Sequence, residues 1–309
     1  MIGIKSIRSY VPTESTDNLE QALRFNETEA FIRDKIGALT LPVKSPIQDT
    51  SDLALLAVKN LIDQDDLAPE RLDALVVVTQ NGDGEGLPHT SAVLQGKLGL
   101  PTHVAAFDIS LGCSGYVYGL SVLRGIMEQA NLKNGILVTA DPYSKIVDHD
   151  DRNTALIFGD AATATWLCEG GPWTFGVPLL ATDGSGSENL YKKNGKLIMN
   201  GRQVFNFASK QVPIQISQWL QGNKMQANDI DLFCLHQGSA FIVETIAKKF
   251  PAVQERFIKD ILTTGNTISS SIPLLLEKHV LPSDKINSVL VSGFGVGLSW
   301  ATNGLFRTK

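Results

Sequence analysis

Cysteine is the rarest residue in this 309-residue chain. There are three cysteines and no Cys-x-x-Cys spacing, which disfavours a disulfide framework and a structural zinc site. No apolar run approaches the roughly 20 residues of a membrane span, and the opening MIGIKSIRSYV lacks the apolar core of a signal peptide. We therefore expect no metal site, no membrane span and a cytoplasmic protein.

The charge balance excludes further classes. The chain has 27 lysines and arginines against 32 aspartates and glutamates, a net charge of −5. No basic excess is available to pair with phosphates, so we expect no nucleic-acid partner. Hydrophobic residues make up 43% and charged residues 19% of the chain, which predicts a large core in one large α/β unit or about two domains.

Apolar runs and helical periodicity alternate along the chain. The run ALVVVT at residues 74–79 is typical of a strand buried on both faces, whereas apolar positions at helical spacing follow residue 50. Such alternation predicts an α/β fold. We expect strands at residues 2–11, 74–79, 104–109, 135–140, 161–167, 230–236, 289–292 and 300–306, and helices at residues 27–36, from 50, and at 90–98, 113–127 and 241–250.

The two halves share local sequence. Residues 134–140 read NGILVTA and residues 287–293 read NSVLVSG, while Asp73 opens DALVVV and Asp231 opens DLFCLH. The gaps between these landmarks are 61 and 56 residues. Chance similarity between buried strands is one explanation, and duplication of a β-α-β unit is the other. Duplication predicts two stacked halves, which we place at residues 1–167 and 168–309.

Cys113 lies where an apolar strand meets an apolar helix, in VAAFDISLGCSGYVYGLSVLRGIM. A helix N-terminus offers unpaired N–H groups and partial positive charge, which favour the thiolate and lower the pKa of a cysteine. We interpret Cys113 as an acyl-carrying nucleophile. A small buried core cysteine fits these residues equally well, and it is our interpretation of Cys168 and Cys234, which lie in strand patterns.

Two later polar residues are candidates for the same site. His236 ends the predicted strand IDLFCLH, and a histidine at the carboxyl end of a buried strand commonly faces a crevice. Asn266 lies in the small, polar stretch TTGNTISSS. A structural histidine and an ordinary turn asparagine remain open alternatives. The loop GFGVGLSW near the end has alternating glycines, but no phosphate-binding lysine follows it.

Taken together, these residues resemble the β-ketoacyl-acyl-carrier-protein synthase III branch of the thiolase superfamily. The matching segments run in family order over nearly the whole chain: FDISLGCSGYVYGL, DDRNTALIFGDAATA, ATDGSGSENL, MNGRQVFNFA, LHQGS, TGNTISSSIP and GFGVGLSWA. The resemblance implies a thiolase-like five-layered αβαβα fold built from two duplicated halves. It also implies a homodimer.

For chemistry, the resemblance implies a decarboxylating Claisen condensation in fatty-acid or secondary-metabolite synthesis. Cys113 would take an acyl group from a coenzyme A or carrier-protein phosphopantetheine thioester. His236 and Asn266 would then bind the thioester carbonyl of malonyl-acyl carrier protein, since donors there stabilise the enolate left by loss of CO2. The backbone N–H groups of Cys113 and Val296 would hold the oxyanion. The partners implied are acyl carrier protein and the acyl thioester, and no metal or redox cofactor is needed.

Several positions depart from the family pattern. Val296 stands where the family has a glycine, and Phe241 stands where an arginine docks the carrier. Phe31 and Lys35 replace the tryptophan and arginine of the adenine clamp. Leu87 replaces a phenylalanine that caps the acyl pocket across the dimer, which suggests a longer or branched acyl group. Retained by position are Arg152 of the clamp and, lining the pantetheine tunnel, Gly201, Arg202, Phe205 and Gly238.

Two other functions remain open from the sequence. An acyltransferase could pass the acyl group from Cys113 to an amine or alcohol, which would not require Asn266. A non-catalytic thiolase-fold subunit could support a partner, although such subunits commonly lose the cysteine that is present here.

Overall fold

The structure, a computed structural model, describes residues 1–308. No helix among these residues is long and apolar enough to cross a membrane. The strands are β1 Ile2–Tyr10, β2 Ser15–Asp17, β3 Thr40–Pro42, β4 Ala74–Val78, β5 Ala105–Ile109, β6 Asn134–Ala140, β7 Ala162–Glu169, β8 Trp173–Phe175, β9 Leu179–Thr182, β10 Leu190–Lys193, β11 Lys196–Met199, β12 Leu232–Leu235, β13 Ser288–Gly295 and β14 Ser299–Arg307.

Helices connect and cover these strands. The α-helices are α1 Asn18–Arg24, α2 Glu29–Phe31, α3 Thr50–Asp65, α4 Thr90–Leu98, α5 Gly115–Gln129, α6 Arg152–Ala155, α7 Gly201–Gly222, α8 Ala240–Ala247 and α9 Ser271–Leu275. Single π-helical turns, Ile32–Ile36 and Leu276–Val280, extend α2 and α9. Short 3₁₀ segments are Pro69–Arg71, Asp83–Gly86, Tyr143–Lys145, Gly184–Asn189, Ala227–Asp229, Pro251–Arg256 and Ile268–Ser270.

The large strands form one continuous sheet in the order β12-β13-β14-β8-β1-β7-β6-β4-β5. Two parts of this sheet meet at β1 and β8, which are joined by one residue pair, Ile4 with Trp173. Helices α5 and α9 lie between the two parts of the sheet and contact strands of both. Helices α3 and α4 cover the outer face of one part, and α7 covers the other. The layers are therefore α, β, α, β, α, as predicted.

Asp73 and Asp231, at matching positions of the two halves, accept equivalent backbone hydrogen bonds. The Asp73 carboxylate accepts the backbone N–H groups of Lys133 and Asn134, both at 2.8 Å. The Asp231 carboxylate accepts those of Asn287 and Ser288 at 2.8 and 3.0 Å. In each case the aspartate fixes where the next parallel strand begins, β6 beside β4 and β13 beside β12. This shared bonding favours duplication over chance similarity between strands.

The predicted strands and helices are present, with ends displaced by a few residues. The helix expected from residue 113 begins at Gly115, so Cys113 precedes its first turn. Helix α7, which carries Pro213 in its interior, was not predicted. The division at residue 167 stays a prediction.

Candidate active site

Cys113 lies in the short connection between β5 and α5, directly beneath the end of β13. The backbone of β13 approaches so closely that a Cβ atom at Gly295 would lie 2.6 Å from the Cys113 sulfur. A Cβ at Gly293 would lie 2.6 Å from the Cys113 carbonyl oxygen. The alternating glycines of GFGVGLSW therefore let this strand end cover the cysteine, which is only 5% exposed.

The protonation state of Cys113 differs from the expectation. Burial raises the pKa of the thiol to about 12, and the nearby Asp141 carboxylate adds to this rise. Hydrogen bonds from the backbone N–H groups of Val296 and Cys113 itself oppose it. The expected lowering of the pKa by the helix N-terminus was therefore wrong as a net effect, because loss of solvent outweighs these donors. The resting group is a thiol.

This pKa predicts how Cys113 reacts with pH. Its alkylation by iodoacetamide is expected to accelerate about tenfold per pH unit between about pH 7 and pH 10, because the thiolate fraction stays small below a pKa of about 12. Peptide mass spectrometry after timed labelling measures the rate at Cys113, beside a short free-cysteine peptide as control. A rate that levels off by about pH 9.5, as for an ordinary cysteine with a pKa of about 8.5, would contradict the prediction.

His236 directly follows β12, and its ring is fixed on two sides. The Nδ1 atom lies 2.8 Å from the Ser271 hydroxyl at the start of α9, and the ring meets Phe294 edge-on with centroids 5.4 Å apart. Burial lowers the pKa of His236 to about 3, so the imidazole is neutral at physiological pH. A neutral imidazole bonded through Nδ1 has its Nε2 atom left for a substrate.

Asn266 is held by its backbone and by one end of its side chain. Its backbone N–H donates to the carbonyl of Ile157 at 2.9 Å, and its carbonyl accepts the N–H of Gly159 at 3.1 Å. The side-chain Oδ1 accepts the N–H of Ile268 at 2.9 Å. Because Oδ1 is occupied, the Nδ2 group is the part of the amide that can donate to a substrate.

These three side chains come from separate segments but line one cavity of about 300 Å³. Its wall is largely apolar, with Tyr143, Phe158 and Leu190 near the cysteine. Six further residues that the sequence assigned to substrate binding also line it. They are Phe31, Lys35, Gly201, Arg202, Phe205 and Gly238.

Two predicted substrate residues lie outside this cavity. Arg152 borders an adjoining depression with Gly201 and Arg202, and its guanidinium lies 5.6 Å from the centre of the Phe31 ring. The Arg152 guanidinium therefore packs on the Phe31 ring. Leu87 is 86% exposed and does not line the cavity of its own chain. Leu87 follows a turn in which Gly84, Glu85 and Gly86 have positive φ angles, and its side chain lies at the surface.

Val296 keeps the backbone donor that a glycine would provide. Its N–H reaches the Cys113 sulfur, as does the N–H of Cys113. The Val296 side chain turns towards Gly112, with Cγ1 3.1 Å from where a Cβ of that glycine would be. A valine is therefore accommodated here because residue 112 has no side chain.

The mouth of the cavity has an aromatic arrangement that was not predicted. The Phe241 ring stacks on Phe205, with centroids 5.2 Å apart and planes 14° apart. The ammonium group of Lys35 sits 3.7 Å from the centre of the Phe241 ring. Lys35 is thereby directed to a ring of its own chain.

Sequence reasoning also missed Asp141 and Tyr143, which follow β6 in TADPYS. Asp141 is 1% exposed and accepts the Gln80 backbone N–H at 2.7 Å and the Ser269 hydroxyl at 2.8 Å. The signal that identified His236, a polar residue at the carboxyl end of a buried strand, applies equally to these two residues.

The fold and this site define a ketosynthase of the thiolase type, and comparison with known proteins agrees. Residues 107–184 match the family model described as 3-oxoacyl-[acyl-carrier-protein (ACP)] synthase III, and residues 220–305 match the model of its C-terminal part. The chain belongs to the β-ketoacyl-acyl-carrier-protein synthase III family of the thiolase superfamily.

Individual relatives resemble the chain over nearly their whole length. The beta-ketoacyl-[acyl-carrier-protein] synthase III of Streptococcus uberis is 31% identical over 97% of both chains. That of Streptococcus mutans is 32% identical over 95% of both. Among solved structures, the 3-oxoacyl-(acyl-carrier protein) synthase of Burkholderia xenovorans is 31% identical with a TM-score of 0.91, covering 99% of this chain and 94% of that one. The synthase III of Thermus thermophilus is 29% identical with a TM-score of 0.91, covering 99% of both.

Proposed function

We propose that this chain is an acyltransferase that catalyses a decarboxylating Claisen condensation. An acyl thioester loaded on Cys113 condenses with malonyl-acyl carrier protein to give a β-ketoacyl thioester, in fatty-acid or secondary-metabolite synthesis. The observation that carries the proposal is the meeting of Cys113, His236 and Asn266 on one largely apolar cavity. No metal or redox cofactor takes part in the proposed reaction.

The steps follow from the groups present. The Cys113 sulfur attacks the donor thioester, the donor thiol leaves with a proton, and the acyl group remains on the enzyme. Malonyl thioester then binds with its carbonyl oxygen towards His236 Nε2 and Asn266 Nδ2. Loss of CO2 leaves an enolate whose charge these two donors stabilise. Its carbon attacks the acyl-Cys113 carbonyl, a carbon–carbon bond forms, the carbon–sulfur bond breaks, and the Cys113 thiolate recovers a proton.

The tetrahedral oxyanion formed in both attacks needs donors of its own. The backbone N–H groups of Cys113 and Val296 are our candidates, since both already point at the sulfur to which the acyl group would be attached. Backbone donors in a buried site are effective because they require no reorganisation when charge develops.

Product analysis tests the proposed function. The protein is incubated with malonyl-carrier and a panel of acyl thioesters, and products are identified by mass together with released CO2. A β-ketoacyl-carrier two carbons longer than the acyl donor is the expected product. Transfer of the acyl group to an added amine or alcohol without CO2 release would favour the simple acyltransferase. Absence of acyl-Cys113 with every donor would favour the non-catalytic subunit.

The acyl donor is expected to be bound to a carrier protein rather than to coenzyme A. Lys35 replaces a bidentate arginine, and its ammonium group lies on the Phe241 ring, so it is a poor partner for nucleotide phosphates. We expect kcat/KM for acetyl-coenzyme A to be at least about tenfold below that for the acetyl-carrier, the effect of about 1.4 kcal/mol in binding. Steady-state kinetics with both donors measure the ratio.

A paired variant sharpens this test. Phe31→Trp combined with Lys35→Arg restores the family residues and should raise kcat/KM for the coenzyme A donor while leaving that for the carrier donor within about twofold. Equal efficiency of both donors in the unmodified protein would contradict the expectation.

For docking of the acidic carrier protein, the Phe241 side chain offers no charge. The exposed Lys248 and Lys249 at the end of α8 are our candidates for this contact.

We also propose a homodimer. Among residues 1–308, strand β5 pairs only with β4, and its other edge is unpaired. Open strand edges are commonly covered by another chain, and the exposed Leu87 lies in the loop just before α4, which packs on β5. Light scattering in solution is expected to give twice the mass of one chain, and a monomer at micromolar concentration would contradict this.

A further inference from the structure

One wall of the cavity beside Cys113 carries a polar residue, Tyr143, that the proposed reaction does not use. Tyr143 is 3% exposed and belongs to the same packed cluster as Cys113, together with Phe158, Leu190 and Ile268. Its ring lies against Phe158, with centroids 4.9 Å apart. An acyl group on Cys113 that extends along this wall would meet the apolar cluster and the Tyr143 hydroxyl.

The Tyr143 hydroxyl is incompletely satisfied. Its partner is the Gln80 side-chain oxygen at 3.4 Å, which is at the long limit for an O–H···O hydrogen bond. Burial raises the pKa of Tyr143 well above its ordinary value, so the group remains an O–H donor at any pH at which the protein works. A buried donor with one long bond gains most from a second acceptor.

Gln80 brings its amide next to the nucleophile. Its Oε1 atom lies 2.6 Å from where a Cβ atom of Gly112 would be, beside the residue that precedes Cys113. Its backbone is fixed by the 2.7 Å bond from its N–H to buried Asp141, and Asp141 is itself bonded to Ser269. Gln80 does not line the Cys113 cavity itself, so it is a fixed partner behind Tyr143, whose side chain lies on the otherwise apolar wall.

We propose that Tyr143 selects short acyl groups that carry a hydroxyl or keto oxygen close to the thioester, such as a 3-hydroxyacyl group. The substrate oxygen accepts from the Tyr143 hydroxyl. A plain alkyl chain of the same length leaves this buried hydroxyl with only its long bond to Gln80, which is how a site rejects an analogue that lacks an oxygen. The inference rests on the proposed function, since the acyl group must first reach Cys113.

Loading of Cys113 tests the selection apart from condensation. The protein is mixed with equal amounts of butyryl-pantetheine and 3-hydroxybutyryl-pantetheine and no malonyl extender, and acyl-Cys113 is followed by intact-protein mass. In each transfer the Cys113 sulfur forms the new thioester bond, and pantetheine leaves as the thiol with the proton. The two adducts differ by the mass of one oxygen. We expect the hydroxylated group to load about tenfold faster, the factor that one neutral hydrogen bond carries.

Variants separate hydrogen bonding from packing. Tyr143→Phe keeps the ring on Phe158 and should bring the loading ratio to one or reverse it. Tyr118→Phe, which removes a hydroxyl bonded to the Ala181 carbonyl and does not line the cavity, is the matched control and should keep the ratio. Equal or faster loading of butyryl by the unmodified protein, or an unchanged ratio in Tyr143→Phe, would overturn the selection alone. Failure of both thioesters to load Cys113 would overturn the proposed function with it.

Discussion

Replacement of Cys113 by alanine is expected to lower formation of the β-ketoacyl product by at least about a thousandfold. The acyl group then has no sulfur to which it can be transferred, and neither Cys168 nor Cys234 lines the cavity. Intact-protein mass should show no acyl adduct, and product should fall below detection. Release of CO2 from malonyl-carrier should persist, because His236 and Asn266 are bonded to Ser271 and Ile268 and do not depend on the thiol.

The matched control is Cys168→Ala. Cys168 is partly buried on β7 and packs against the hydrophobic cluster that includes the buried residues of α3. It should be dispensable for both acylation and condensation. Normal product from Cys113→Ala would eliminate the covalent mechanism. Loss of product from Cys168→Ala as well would point to instability of the fold, which thermal unfolding of both variants distinguishes.

Removal of His236 or Asn266 is expected to separate the two half-reactions. His236→Ala and Asn266→Ala should each slow condensation by about 10² to 10³, the usual effect of losing one donor to a developing oxyanion. Loading of Cys113 should remain within a few-fold, because the oxyanion donors for that step lie in the backbone of Cys113 and Val296. Single-turnover loading and CO2 release, measured on the same samples, report the two steps.

Asn266→Asp gives the sharper version of this test. The aspartate keeps an oxygen to accept the Ile268 N–H, so the local backbone is preserved, but it replaces the Nδ2 donor with a second acceptor. Condensation should fall at least as far as in Asn266→Ala. His103→Ala, at an exposed histidine, is the control. Normal condensation in both His236→Ala and Asn266→Ala would refute the assigned roles.

Local sequence patterns were sufficient to predict most of the long strands and helices. Continuous apolar runs predicted β4 and β6 because strands buried on both faces have no polar side to alternate. Helix α7 was missed because Pro213 interrupts its sequence pattern, although the fold accepts that residue in the helix. The short strands β8 to β11 were missed because they depend on partners distant in sequence rather than on their own residues.

Only part of the candidate site could be predicted from the sequence. Glycines, strand ends and the family resemblance identified Cys113, His236 and Asn266 one at a time, and the structure places them on one cavity. The raised pKa of Cys113 could not be inferred, since it depends on how completely β13 covers the thiol. Leu87 was predicted to cap an acyl pocket across the dimer, and this stays a prediction; in its own chain the side chain is exposed.

The sequence by itself determined the α/β class and predicted two related halves and the candidate reactive groups, because these are properties of short segments and their order. Only the tertiary structure decided what surrounds those groups. The Lys35 ammonium on Phe241, the Tyr143 hydroxyl near Gln80 and the neutral His236 all arise from contacts between residues far apart in the chain. Desolvation and hydrogen bonding act through such contacts, and they set the charge state of these groups.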